Sequence, residues 1–175
     1  EFRRVLFRSI LMFSANVLGA TAFYENVLGL RLSDKSGPVI AFMHSAHGSD
    51  HHLIALALSD GPGLHHSSWC VPSIDAVGLG AAQMVVAGHT RGWGVGRHVL
   101  GSNYFRYVRD PWGSYAEYSY DIDFVEAGAV WPAADHPGDE IGDILDIGIP
   151  RLEAAQQGRH RGHGEDAARV PAAPA

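Results

Sequence analysis

The groups that acid–base and metal chemistry need are scattered along this chain. They are the imidazoles of His52, His66 and His98, the phenol of Tyr107 and the carboxylate of Glu117. Histidine is the commonest metal ligand and the usual proton carrier near neutral pH, and the chain holds eleven. Two imidazoles and one carboxylate on one face of an iron(II) ion leave three positions open, which suits a substrate and O2 on one metal. His66 and Glu117 supply one imidazole and the carboxylate; a second imidazole is still needed. Taken alone, each residue has an ordinary explanation. Glu117 on a strand is more often a solvent-facing edge residue, and Tyr107 a core or boundary aromatic. His65–His66 and His51–His52 are adjacent pairs, and neighbours on a strand point to opposite faces. Only one of each pair could then serve, and the residues alone do not choose which. His44, His47, His89, His136, His160 and His163 read as surface or tail residues, and Cys70 as a small core residue.

The candidates fall mostly on strands, and two stretches of the chain share one order. "ILMF" (10–13) reads as a strand, followed by a helix over 19–30 with Ala22, Phe23, Val27 and Leu30 at helical spacing and Gly29 as its stop. "AFMHS" and "HHLIALAL" then read as strands. The second unit opens with a strand at 65–71, and Ser73 caps a helix over 74–88 ended by Gly88. Strands at 93–99, 104–109 and 115–120 follow. Repetition of one supersecondary unit is a fold-level signal. In "RDPWGSY", Pro111 and Gly113 suit a turn. Side chains alternate along a strand, so an odd loop such as 110–114 puts Tyr107 and Glu117 on the same face. The odd loop is expected. A curved sheet around a hollow would let such distant residues converge on a rigid mount.

At 175 residues with 46% apolar content, the chain can build one compact core. A net charge of −6 argues against nucleic acid and anionic membrane surfaces. No run of about 18 apolar residues exists, so no span is expected. One cysteine excludes an internal disulfide and fits a reducing cytoplasm. Residues 1–9, "EFRRVLFRS", look like the in-frame translation of a sequencing-library adapter and are set aside from fold reasoning. Residues 10–125 are expected to form the domain, with module one at 10–60 and module two at 64–120. A C-terminal extension at 126–150 and a disordered tail at 151–175 follow, the tail lacking aromatics.

"FYENVLGLRLSD", "DHHLIAL", "GPGLHHSSWCV" and "GRHVLGSNYFRYVRDPWGSYAEY" occur in order at matching spacing. Over residues 9–125 the chain resembles the catalytic domain of type I extradiol ring-cleavage dioxygenases, of the vicinal oxygen chelate superfamily. The resemblance implies an α+β fold: paired βαβββ modules forming a curved, cup-like mixed β-sheet. It implies Fe(II) and a catecholic substrate opened by O2 next to its diol; the sequence does not fix iron against Mn(II), since O/N ligands of this type accept both. His66 falls on the second metal-ligand position and Glu117 on the third. His52 falls on the acid–base histidine, and His98 and Tyr107 on positions that contact substrate or oxygen. The first ligand, a histidine a fixed distance before "FY", counts back to Ser9. The resemblance thus implies a catalytic fragment whose first ligand histidine was lost at the adapter join, and whose intact parent carries a preceding domain of the same fold. It implies a homo-oligomer for that parent. Trp69, Phe105, Trp112 and Tyr115 are candidate apolar walls.

Two other functions share this scaffold: a metal-dependent glyoxalase-like isomerase or lyase, and a non-catalytic small-molecule-binding module. The isomerase has no need of O2, and the binding module no need of the His52, His66, His98, Tyr107 and Glu117 set.

Overall fold

The computed structural model describes residues 5–139 and a short strand at 143–145. The tail expected to be disordered, 151–175, lies outside the described residues, as do residues 1–4. In the first unit, β1 (Leu6–Ser14) leads to α1 (Val17–Leu28), then β2 (Leu30–Ser36), β3 (Ile40–Ser45), β4 (Ser49–Asp50) and β5 (Ile54–Leu58). In the second, β6 (Gly63–Cys70) leads to α2 (Ile74–Val86), then β7 (Gly94–His98), β8 (Tyr104–Arg109) and β9 (Tyr115–Tyr120). The later strands are β10 (Phe124–Val125), β11 (Ala134–Asp135) and β12 (Asp143–Leu145).

Ten strands form one mixed sheet in the order β11-β2-β3-β5-β1-β6-β9-β8-β7-β12. Each unit closes on itself by a parallel pair, β1 with β5 and β6 with β9. The two units meet where β1 and β6 run antiparallel. This is the doubled βαβββ arrangement expected from the sequence, with β4 as a short extra strand paired to β10. The extension adds an edge strand at each end, β11 on β2 and β12 on β7. β1 starts at Leu6, earlier than the strand read at 10–13, because the pairing with β6 continues back to Leu6 opposite Cys70.

Alternation sorts the first unit into two faces. Leu11, Phe13, Ile40, Ala55 and Ala57 pack on one side, with Phe42. Met12, Ala41, Met43 and Leu56 pack on the other with Val17, Ala20 and Tyr24 of α1. The helix therefore buries a different stripe from the one its spacing suggested: Phe23 and Val27 are exposed, and Val17 and Thr21 are the buried positions. The stop expected at Gly29 and the cap expected at Ser73 are both observed, whereas α1 starts at Val17, before the 19 read from the sequence, behind an Asn16 cap that was not singled out. Gly19 N–H donates to the Asn16 side chain at 2.9 Å, and Gly29 closes α1 in the left-handed region at φ 69°. Ala76 N–H donates to Ser73 Oγ at 3.1 Å at the start of α2. No described helix is long and apolar enough to cross a membrane.

Candidate active site

The loop between β8 and β9 is residues 110–114, the odd length expected, and Tyr107 sits directly opposite Glu117. The same row continues across the sheet, Glu117 to Ser68 and Ser68 to Ser9. Residues in register project from the same face, so Tyr107, Glu117, Ser68 and Ser9 share the concave side. β9 is an interior strand between β6 and β8. Glu117 is accordingly only 2% exposed rather than on a wet edge.

Two residues along from Ser68, His66 projects from the same face. Its Nε2 lies 3.5 Å from Glu117 Oε2. The opposite-face expectation for the neighbouring histidine fails here. Leu11 pairs with His66 and the next residue, Met12, pairs with Leu64, so His65 is the extra residue of a β-bulge. The bulge turns both rings inward, with His65 Nδ1 2.7 Å from His66 Nδ1 and the His65 ring edge-on to Phe13. A second bulge lies at Arg8, since Phe7 pairs with Trp69 and Ser9 with the adjacent Ser68. The Arg8 guanidinium pairs with Asp50 at 2.7 Å and donates to Ser119 Oγ at 2.6 Å.

His98, at the end of β7, stacks flat on Phe105 at 4.0 Å. Its Nε2 lies 3.1 Å from Tyr107 Oη and 3.6 Å from Glu117 Oε1. Tyr107 in turn stacks on Trp93 at 4.0 Å. Asn103 Nδ2 donates to Glu117 Oε1 at 3.2 Å and to Ser119 Oγ at 3.0 Å. Of the expected apolar walls, Phe105 and Tyr115 lie beside the site. Trp112 is 85% exposed, and Trp69 packs instead against Phe7. Trp93 and Asn103 were not singled out in the sequence. Asn103 lies in "GSNYF", between His98 and Tyr107, and that position is its one sequence signal.

His52 lies against Phe42, with ring centroids 5.1 Å apart, and within electrostatic reach of His98 and Arg8. Its neighbour His51 is fully buried and bound to Asp34, so the pair divides between two environments. Burial, then the nearby charges of His51, His98 and Arg8, hold His52 well below the ordinary imidazole value. Burial, then His65, His98 and His52, does the same to His66. Both rings are thus neutral near pH 7, the form in which imidazole accepts a proton or binds a metal. His44 and His136, read as surface residues, are in fact tied in. His44 is buried with Nδ1 2.7 Å from Ser33 Oγ, and His136 Nε2 lies 2.8 Å from Asp34 Oδ1.

The donor chemistry fits a hard or borderline divalent ion in part. His66 and Glu117 bring one nitrogen and one carboxylate oxygen to a shared point, as two ligands of one cation are placed. Among the described residues no third His, Cys, Asp or Glu joins them. In the same row on β1 stands Ser9, 1% exposed and paired with Ser68.

Comparison with known proteins agrees with this architecture. Metapyrocatechase 2 of Cupriavidus necator is 54% identical over 143 residues, which is 80% of this chain and 45% of that protein. The chain thus spans about half the length of the relatives it matches. The Mn(II)-bound glyoxalase of Novosphingobium aromaticivorans superposes with a TM-score of 0.75 at 29% identity, covering 84% of this chain and 48% of that one. The 2,2',3-trihydroxybiphenyl 1,2-dioxygenase of Sphingomonas wittichii RW1 has the same fold, with a TM-score of 0.69 at 22% identity over 82% of this chain and 50% of its own. Residues 7–118 match the family profile for the Glyoxalase/Bleomycin resistance protein/Dioxygenase superfamily. Its sheet, its two modules and well over half its sequence agree: the chain belongs to that superfamily.

Proposed function

We propose that this chain is the metal-binding half of an Fe(II)-dependent extradiol dioxygenase that opens a catecholic ring beside its diol. The observation that carries the reading is the buried His66–Glu117 pair, 3.5 Å apart, facing the same hollow as the His98–Tyr107 hydrogen bond. The relative named metapyrocatechase supports it. His66 and Glu117 would hold the metal, with Ser9 at the first-ligand position, where the hydroxyl is a poor donor. Asn103 fixes the Glu117 carboxylate by its hydrogen bond to Oε1. Iron, when bound, would supply Lewis acidity to the catechol hydroxyls and redox chemistry for O2.

The chain's own groups supply the remainder. His52 is neutral and so can take a proton from a catechol hydroxyl and later return one. His98 and Tyr107 direct N–H and O–H dipoles toward negative charge developing on oxygen. Their rings are clamped by Phe105 and Trp93, so no reorganisation is needed to present them. We place the intact parent in the cytoplasm as a homo-oligomer, and Mn(II) in place of iron is compatible with the same donors.

The test is Ser9→His, loaded with Fe(II) without air and then given catechol and O2. The variant is expected to consume O2 and form a coloured ring-opened aldehyde, while the unmodified chain retains little iron and turns over poorly. Full iron occupancy in the variant without O2 uptake would refute the reading. The likeness to a Mn(II)-bound glyoxalase favours a second reading, an O2-independent isomerase or lyase on the same donors. Rearrangement of substrate without oxygen consumption would establish it.

A further inference from the structure

Behind His52 a second polar chain runs towards the surface. His51 Nε2 lies 2.8 Å from Asp34 Oδ2, and His51 Nδ1 lies 3.1 Å from Nδ1 of His52. Asp34 also accepts from Ala134 N–H at 3.0 Å, from His136 at 2.8 Å and from the Trp131 indole at 3.3 Å. The His51 backbone is pinned on both sides. Its N–H donates to Asp123 carbonyl at 2.7 Å, and its carbonyl accepts from the Ser33 hydroxyl. None of these groups has a part in the chemistry described above.

The tautomers follow from counting donors. An ionised carboxylate only accepts, so His51 Nε2 carries the proton it gives to Asp34. A neutral His51 then presents a bare Nδ1 to His52. A 3.1 Å contact between two nitrogens needs one proton between them. That proton sits on His52 Nδ1 and leaves Nε2, on the ring's other side, as the basic nitrogen.

We propose that Asp34 and His51 form a proton relay behind His52. His52 Nε2 takes the proton from the substrate hydroxyl, its Nδ1 proton passes to His51 Nδ1, and the positive charge comes to rest against Asp34. The proposal rests on the reading of His52 as the acid–base group. One O–H and one N–H bond break, two N–H bonds form, and no electrons leave either ring. Asp34 and His51 are positioning residues, since neither touches the substrate.

The electrostatics explain why the charge would move on. Burial and three neighbouring positive or ionisable groups make His52 a poor place for an imidazolium. His51 has a carboxylate at 2.8 Å. Burial alone would raise the Asp34 carboxyl, but the hydrogen bonds from His51, His136, Ala134 and Trp131 outweigh it and hold it below its ordinary value. His136, with its side chain 25% exposed, links the other carboxylate oxygen towards solvent.

Nitrogen-15 correlation spectra of the imidazoles in the full chain, near pH 8, test the relay. His52, assigned by loss of its signals in His52→Gln, is expected as the Nδ1–H tautomer. In Asp34→Asn it should shift to a mixture of the two tautomers. An Nε2–H His52 in the unmodified chain would overturn the proposal, as would an Asp34→Asn chain with an unaltered His52. If Asp34→Asn does not fold, His51→Asn serves, because its amide oxygen can accept from His52 but cannot take a proton. In iron-loaded Ser9→His it should keep the Nδ1–H tautomer and lower kcat at least about tenfold with KM unchanged. An unchanged kcat contradicts the relay. The tautomer is read without turnover, so it stands or falls separately from ring cleavage.

Discussion

Glu117 is held by its neighbours as firmly as by its strand. Asn103 donates to Oε1, and His66 and His98 approach Oε2 and Oε1 from either side. Removing the amide frees the carboxylate to rotate. Asn103→Ala in the Ser9→His background is expected to weaken Fe(II) or Mn(II) binding about 10–100-fold, read by metal titration. Proton linkage gives a second expectation at this scale. His52 and His66 titrate lower in the folded chain than the ordinary 6.5. The unfolded chain therefore binds more protons as pH falls through that value, and stability drops. Thermal midpoints should be lower at pH 5.5 than at pH 7.5, with a smaller fall in His52→Gln. An equal fall in that variant would remove His52 from the explanation. Single residues were only partly legible. His66 and Glu117 were singled out by where they fall in the family motifs and not by residue type, whereas the Asp34–His51 contact is made by packing between distant strands and leaves no local pattern.

Elements carry the site through register, and register was partly readable. The five residues 110–114 set Tyr107 opposite Glu117; alternation leaves two alternatives, and the odd loop is expected because the chemistry needs it. The bulges at Arg8 and His65 were not readable, because a bulge is decided by the strand opposite and not by its own composition. One consequence is that two histidines, not one, turn into the hollow on β6. The helix faces misled for a related reason: α1 carries apolar residues on more than one face, and the sheet chose Val17 and Thr21. α2 meets the sheet more closely. A Cβ at Gly80 would fall 2.4 Å from the Tyr118 ring, so this glycine lets the helix lie against β9 from the convex side. Gly80→Val should cost about 1–3 kcal/mol of stability by overpacking, seen as a lowered midpoint in urea. A variant as stable as the parent chain would show that the helix can lift without penalty.

At the level of the whole molecule, two βαβββ units joined along β1 and β6 make one cup, and the His66–Glu117 pair spans neighbouring strands of the second unit. The doubling was legible because strand, helix and strands recur in order. The extra edge strands β11 and β12 were not, since each is only two or three residues long. In the proposed site, unit one would contribute Ser9 and the His52–His51–Asp34 chain, and unit two His66, His98, Tyr107 and Glu117, so both units would be needed for it. The most direct measurement is a Mn(II) titration of Ser9→His followed by electron paramagnetic resonance, with and without Glu117→Gln. One tightly held ion in Ser9→His, lost when Glu117 becomes glutamine, is the expected result. Equal binding by both proteins would mean that His66 and Glu117 do not share a cation.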